Sequence, residues 1–152
     1  MTVRPLAPGD VPPLAAALSR LPLLQRYGRD AARLESDLRR ALARGDGLLV
    51  EESDGGVRGL AWYLPAGTFG LGGYLRLIAV APGSTGAGVG AALLSAFEAE
   101  AAKASGHAFL LVSDFNAGAQ RFYERHGYAR VGALPGLVLP GVSELVYWKR
   151  LR

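Results

Sequence analysis

Residues Val80 to Leu94 read VAPGSTGAGVGAALL, a run in which Gly86, Gly88 and Gly90 alternate with small residues. An apolar, strand-like stretch precedes it and an Ala/Leu-rich, helix-like stretch follows. A strand that feeds a helix through a glycine turn calls for a layered α/β arrangement. It also makes an anion site, because main-chain N–H groups and the positive end of the helix dipole face the same point.

The other elements fit around that turn. A strand is expected at about Thr2 to Leu6, then a helix capped by Asp10, with Pro12 in its first turn, ending near Ser19. Ala31, Leu34, Leu38 and Leu42 recur at helical spacing and predict a helix from Asp30 to Arg44. LLVEE and VRGLAWYLP read as strands joined by the Asp-Gly hairpin signal of SDGG, residues 53–56. AGTFGLGG is expected as a loop and YLRLIAVAP as a long apolar strand ending at Pro82. A helix from about Gly88 to Ala104 is expected to bury Val89, Leu93, Leu94, Phe97 and Ala101. HAFLLVSD follows as a strand. NAGAQRFYERHG is a helix with Asn116 as N-cap and Gly127 at its stop, and YARVGAL and SELVYWKRL are closing strands. The order β-α-α-β-β-β-α-β-α-β-β predicts one mixed α/β domain over residues 1–152.

A chain of 152 residues can bury roughly two-thirds of its unfolded surface, enough for a real core. It has no cysteine, so disulfides and thiolate chemistry are excluded. Met1 to Asp10 lacks the apolar core of a signal peptide, and no run reaches the ~20 apolar residues of a membrane span. A cytoplasmic location without a membrane partner is therefore expected. The net charge is +4, and fifteen of the seventeen basic residues are arginine. Arg26, Arg29, Arg33, Arg39, Arg40 and Arg44 crowd one segment. Arginine favours bidentate anion contacts, and a solvated helix face accounts for the same cluster. No basic stripe interleaved with aromatics and no zinc or recognition-helix signature is present, so neither nucleic acid nor a metal is an expected partner.

Three phosphate sites compete for the glycine turn. A nucleotide P-loop needs G-x-x-x-x-G-K-[ST]. Gly83 and Gly88 have the spacing, but Val89 and Gly90 stand where Lys and Ser/Thr are required. A dinucleotide fingerprint matches Gly86, Gly88 and Ala91, yet the first glycine lies well past the strand and no acidic residue stands about 20 residues on. A pyrophosphate cradle for coenzyme A needs only main-chain N–H groups across Thr85 to Gly90 and the helix dipole. Its glycines permit close approach and positive φ, and no metal is required.

The turn resembles the signature of the GNAT superfamily of acyl-CoA N-acyltransferases: a strand ending V-x-P, then Gln or Arg, two residues, Gly, one residue, and Gly or Ala. Val80, Pro82, Gly88 and Gly90 match, and Thr85 stands in the Gln/Arg position. NAGAQRFYERHGY, residues 116–128, resembles the second block, N-x-x-A-x-x-F-Y-E-x-x-G-F/Y. Asn116, Ala119, Phe122, Tyr123, Glu124, Gly127 and Tyr128 carry that match. The resemblance implies a mixed, mostly antiparallel twisted sheet of about seven strands flanked by about four helices. It implies acetyl-CoA as cofactor, an amine acceptor and a homodimer. It assigns the pyrophosphate to Thr85, Gly86, Ala87, Gly88, Val89, Gly90 and Ala91, the thioester to main-chain groups of Ile78, Ala79 and Val80, and the pantetheine arm to Asn116.

Acetyl transfer from a thioester to an amine needs a neutral amine, a polarised carbonyl and a proton for the departing thiolate. Tyr123 matches the family's general-acid position, against the cofactor's thiol end. A phenol is protonated at neutral pH and can donate. Core packing is the competing reading, since Ala119, Phe122, Tyr123 and His126 share a helical face. The strand before the turn carries no carboxylate, and Glu51, Glu52, Asp114 and Glu144 lie on or beside predicted strands. Glu144 is taken as the catalytic base, with a water chain or bulk deprotonation as the alternative. His107 and His126 read as structural. Trp62, Tyr63, Phe69 and Tyr74 are candidates to line an acceptor pocket or to fill the sheet core. Two functions stay open: an N-acetyltransferase acting on a small amine or a protein amino group, and a non-catalytic acyl-CoA-binding or regulatory module.

Overall fold

Asp54 and Gly55 both take positive φ, 53° and 76°, and close SDGG as a tight turn. It joins β2 (Gly47–Ser53) to β3 (Gly56–Thr68) in the register that the alternating apolar residues favour. The computed structural model describes residues 1–152. The other strands are β1 (Thr2–Pro5), β4 (Gly72–Val80), β5 (His107–Ser113), β6 (Ala129–Pro135) and β7 (Ser143–Arg150). All seven form one sheet in the order β1-β2-β3-β4-β5-β7-β6. Every pairing is antiparallel except β4 with β5. A parallel pair needs a crossover, and here the glycine turn and α4 (Val89–Ala104) supply it.

Helices cover the two faces of the sheet. On one face α1 (Val11–Leu18) and α3 (Ala31–Arg44) bury Leu14, Leu18, Leu34 and Leu38 against Leu48, Val50, Leu60 and Trp62. On the other, α4 and α5 (Ala117–Arg125) pack over Ala61, Tyr63, Leu75 and Leu110. The α4 residues buried there are Val89, Leu93, Leu94, Phe97 and Ala101, the five expected from periodicity. At Gly59 of β3 an added Cβ would stand 2.9 Å from both Val89 Cγ1 and Leu93 Cδ1. That missing side chain lets the first turns of α4 lie directly on the strand, which locates the glycine turn over the end of β4.

Two expectations are corrected, and one element is added. AGTFGLGG is not a loop: β3 runs on to Thr68 and β4 starts at Gly72, with Phe69 and Gly70 (φ 57° and 70°) turning the chain between them. Glycine-rich composition concealed strand pairing that the hairpin turn maintains. Asp10 does not cap α1. Its Oδ2 accepts from Ala7 N–H at 2.8 Å and closes a one-turn 3₁₀ helix, Pro8–Asp10, ahead of α1. A short helix, α2 (Pro22–Arg26), has no counterpart among the expected elements; it begins with Pro in the first turn, where no N–H is needed.

Glu51 is fully buried on β2 and accepts two hydrogen bonds from Arg58, each at 3.0 Å, and one from Ser53 at 2.8 Å. Chiefly the Arg58 bonds hold its carboxyl below the usual range, against the opposing effect of desolvation. Asp46, bonded by Arg44 and Trp62, and Asp10, bonded by Arg4, are lowered likewise. A carboxylate with a depressed folded-state pKa stabilises the fold above its unfolded pKa, near 4, and loses that contribution as pH falls through the folded value. Melting temperature is therefore expected to be flat from about pH 8 to 5 and to fall steeply below about pH 4. Glu51→Gln is expected to flatten that acid limb; thermal melts across the pH series check both.

Candidate active site

Strands β4 and β5 run together only briefly, through Gly73–Ala108, Tyr74–Phe109 and Leu75–Leu110. The separation begins at a bulge: Trp62 of β3 opposes Leu77 and Tyr63 opposes Leu75, so Arg76 is the extra residue on β4. A bulge bends its strand, and beyond this one β4 from Arg76 to Val80 has no ladder partner on its β5 side. Main-chain polar groups along such an edge need an acceptor or donor from elsewhere.

At the open end of the gap lies the glycine turn. Gly86 and Gly88 hold φ of 83° and 82°, and Gly88 is the N-cap of α4. No main-chain N–H from Thr85 to Ala91 has an acceptor within the chain; Ala92 N–H, bonded to Gly88 at 3.0 Å, is the first that does. The first turn of α4 carries no acidic residue to occupy those donors. Thr85 in the Gln/Arg position leaves this array of main-chain donors intact. Gly90 departs from expectation: it is helical without positive φ, and a Cβ there would meet Phe122 at an ordinary 3.5 Å and Val80 at 3.8 Å. The turn thus abuts both the end of β4 and the helix that carries Tyr123.

A cavity of about 370 Å³ opens where the strands part. Ile78 of β4, Asn116, Ala119 and Tyr123 of the α5 region, and Glu144 of β7 all line it. Ala79 and Val80, expected beside them, are not among its lining residues. Asn116 caps α5, its Oδ1 accepting from Ala119 N–H at 3.1 Å. Tyr123 is nearly buried, packed edge-on against Phe122 and Tyr128, and its hydroxyl makes no hydrogen bond within the chain. Burial pushes its phenol well above the ordinary value, so it stays protonated. Packing and cavity lining are therefore both present at this residue.

Glu144 comes with partners the sequence did not reveal. Tyr27 O–H donates to its Oε2 at 2.6 Å, Ser113 Oγ lies 3.4 Å from the same oxygen, and the Tyr27 and Ser113 hydroxyls are themselves bonded. Burial, then the bond to Glu144, raises the Tyr27 phenol. Tyr27 follows α2 and is 117 residues from Glu144 in sequence, so no local spacing signals the contact. The other carboxylates considered are occupied elsewhere: Glu51 with Arg58, Glu52 with Arg4, and Asp114 accepting Ser143 N–H. Of the four aromatics, Tyr74 alone lines the cavity; Trp62 and Tyr63 are core, and Phe69 is exposed at a hairpin tip. His107 accepts from Trp148 Nε1 and His126 bonds Phe122 O, both structural contacts. Most of the arginine cluster is the expected solvated face, with Arg39, Arg40 and Arg44 paired to Glu35, Asp37 and Asp46.

The profile of the acetyltransferase (GNAT) family matches residues 16–128, about three quarters of the chain. The chain belongs to the GNAT acetyltransferase family. A search among characterised proteins finds no significant match. Solved structures share the fold of this GNAT acetyltransferase over nearly its whole length. A ribosomal-protein-alanine N-acetyltransferase from Brucella melitensis superimposes with a TM-score of 0.78 at 21% identity, covering 99% of each chain. An aminoglycoside 6'-N-acetyltransferase complexed with coenzyme A gives 0.81 at 17% identity, covering 100% of this chain and 98% of the other. Ard1 from Thermoplasma volcanium gives 0.75 at 24% identity over 98% and 96%. Acyl-CoA-dependent acetyl transfer is the general activity of this family. No helix of the chain is long and apolar enough to cross a membrane.

Proposed function

We propose that residues 1–152 form a cytoplasmic acetyltransferase domain that moves the acetyl group of acetyl-CoA to a primary amine by direct attack in a ternary complex. The observation that carries this reading is the meeting of three features at one gap: the acceptor-free N–H groups from Thr85 to Ala91, the unpaired edge of β4, and a cavity lined by Tyr123 and Glu144. The N–H array and the α4 dipole would hold the pyrophosphate. The free edge of β4 would bond the pantetheine amides and the thioester carbonyl, with Asn116 contributing from α5.

In the reaction Glu144 takes a proton from the bound ammonium, directly or through water. The neutral nitrogen attacks the thioester carbon, the C–S bond breaks, Tyr123 O–H protonates the leaving thiolate, and the acylated nitrogen gives its surplus proton to solvent to leave the neutral amide. Solvent returns the proton to Tyr123 and removes the one held by Glu144. Tyr27 and Ser113 aim the Glu144 carboxylate. Burial disfavours the phenolate, but the same low-dielectric site disfavours the free thiolate, so transfer between them stays feasible.

Acetyl-CoA is expected to raise the melting temperature by several degrees without any divalent metal, since a ligand that binds only the native state stabilises it by RT ln(1 + [L]/Kd). EDTA should leave the shift unchanged; a shift lost in EDTA, or absent at saturating acetyl-CoA, counts against the cradle. Release of free coenzyme A thiol over a panel of amines and peptides then separates an enzyme from a module that only binds acyl-CoA.

A homodimer through β6 belongs to the same proposal. That strand is exposed along its whole length with a free outer edge, and Val131 and Leu134 on it, with Leu137 just past its end, present apolar surface. Natural edge strands are normally covered or charged. Sedimentation velocity is expected to give a dimer that Val131→Lys converts to monomer; a wild-type monomer at tens of micromolar ends the dimer proposal.

A further inference from the structure

The cavity has charged groups of opposite sign on its walls. Glu144 stands on the β7 side, with Tyr27 and Ser113 attached. Arg29, just before α3, and Arg76, at the β4 bulge, are the two cations that line it. Arg29 donates to Asp37 at 2.6 Å, but Asp37 also accepts from Arg40 at 2.6 Å, so one carboxylate serves two guanidiniums. Arg76 forms no ion pair. Its guanidinium lies 4.3 Å from the centroid of the Trp62 ring, and Trp62 is itself fixed by burial and by its Nε1 donating to Asp46 at 2.9 Å. A guanidinium stacked on a rigid ring keeps its in-plane N–H donors free and aimed. The rest of the wall is mainly apolar, including Leu23, Leu24, Leu77 and Leu111.

From this arrangement we infer that the acceptor is an amine that also carries a carboxylate, a free amino acid with an apolar side chain. Its carboxylate lies against Arg76 and Arg29, and its amine faces Glu144 and Tyr123. The inference rests on the reading of this cavity as the acceptor site. The volume of about 370 Å³ suits a ligand of single amino-acid size beside the reacting end of the cofactor. Polycationic acceptors meet the unneutralised charge of Arg76 and are disfavoured. A protein N-terminus brings a neutral peptide carbonyl where the two guanidiniums offer donors to an anion.

Leucine, leucinamide and 3-methylbutylamine differ only in the group that would meet Arg76, so thiol release with each is the test. The α-amine of leucine is more basic than that of leucinamide and less of it is neutral at pH 7.5, so intrinsic reactivity favours the amide. A leucine preference must then come from the pocket. Leucine is expected to have the higher kcat/KM by tenfold or more, chiefly through KM. Arg76→Gln is expected to bring the leucine-to-leucinamide ratio toward one, and Arg76→Lys, which keeps charge without the planar fork, to fall between. Stabilisation by acetyl-CoA reports that each variant is folded. Equal or better use of leucinamide by the wild type, or a leucine preference untouched by Arg76→Gln, overturns the inference and leaves acetyl transfer standing. If no amine releases thiol, acetyl transfer fails, and calorimetric titration into the coenzyme A-loaded protein judges the pocket alone. Binding of leucine but not leucinamide then supports it, and binding of neither, or of both alike, overturns it.

Discussion

Tyr123→Phe is expected to lower kcat by about 10- to 100-fold while the Kd for acetyl-CoA changes less than about twofold. Loss of a general acid costs about 10²–10⁴-fold in typical cases, and a thiol is a fairly good leaving group, which moves the value to the low end. The substitution removes one hydroxyl that has no hydrogen bond within the chain and leaves the ring packed on Phe122 and Tyr128. Folding and ground-state binding therefore change little, and the loss falls on kcat. Because burial raises the phenol above its ordinary value near 10, Tyr123 stays protonated throughout the working range, and the ratio of wild-type to Phe rates is expected to be constant from pH 7 to about 9.5. Steady-state kinetics across that range with an accepted amine checks both statements. An unchanged kcat would make Tyr123 a packing residue. Glu144→Gln is the companion variant: it keeps an acceptor for Tyr27 and Ser113 but cannot take the amine proton, and its deficit of about tenfold should narrow as rising pH supplies neutral amine.

Gly88→Val is expected to weaken acetyl-CoA binding by about 100-fold and to lower the melting temperature by only a few degrees. At Gly88 φ is 82°, a conformation that costs an L-residue about 1–2 kcal/mol and a β-branched one more. Space is not the difficulty, since the nearest atom to an added Cβ is Met1 Cε at 3.9 Å. The strain is relieved by rotating the turn, and that rotation redirects the acceptor-free N–H groups at the start of α4. Gly45 supplies the control. It too has φ of 82°, at the C-cap of α3, with no atom within 4 Å of an added Cβ. Gly45→Val should lose comparable stability and leave cofactor affinity as it was. Calorimetric titration of the two variants separates a cradle effect from a general loss of fold: equal affinities in both would remove the pyrophosphate from this turn.

Much of this protein was legible in its sequence because the signals are local. Helix α4 announces its buried face through Val89, Leu93, Leu94, Phe97 and Ala101 at 3.6-residue spacing, and α5 announces its start through the Asn116 cap. The turn between β4 and α4 needs glycine for reasons confined to a few residues, the positive φ of Gly86 and Gly88, so it too can be read in one dimension. The two blocks that resemble the GNAT signature lie within such elements, which is why family and fold can be expected from the sequence. What only the tertiary structure decided depends on contacts between distant segments. The parting of β4 from β5 follows from a one-residue bulge at Arg76, a register event between two strands that leaves no mark in either alone. The setting of Glu144 depends on Tyr27, which the short helix α2 delivers across 117 residues of sequence. Arg29 and Arg76 look alike in the sequence to the arginines of the solvated α3 face. They differ because the fold sets both on the cavity wall, Arg76 resting on Trp62 with no ion pair, and position against a cavity is a property of neighbours in space.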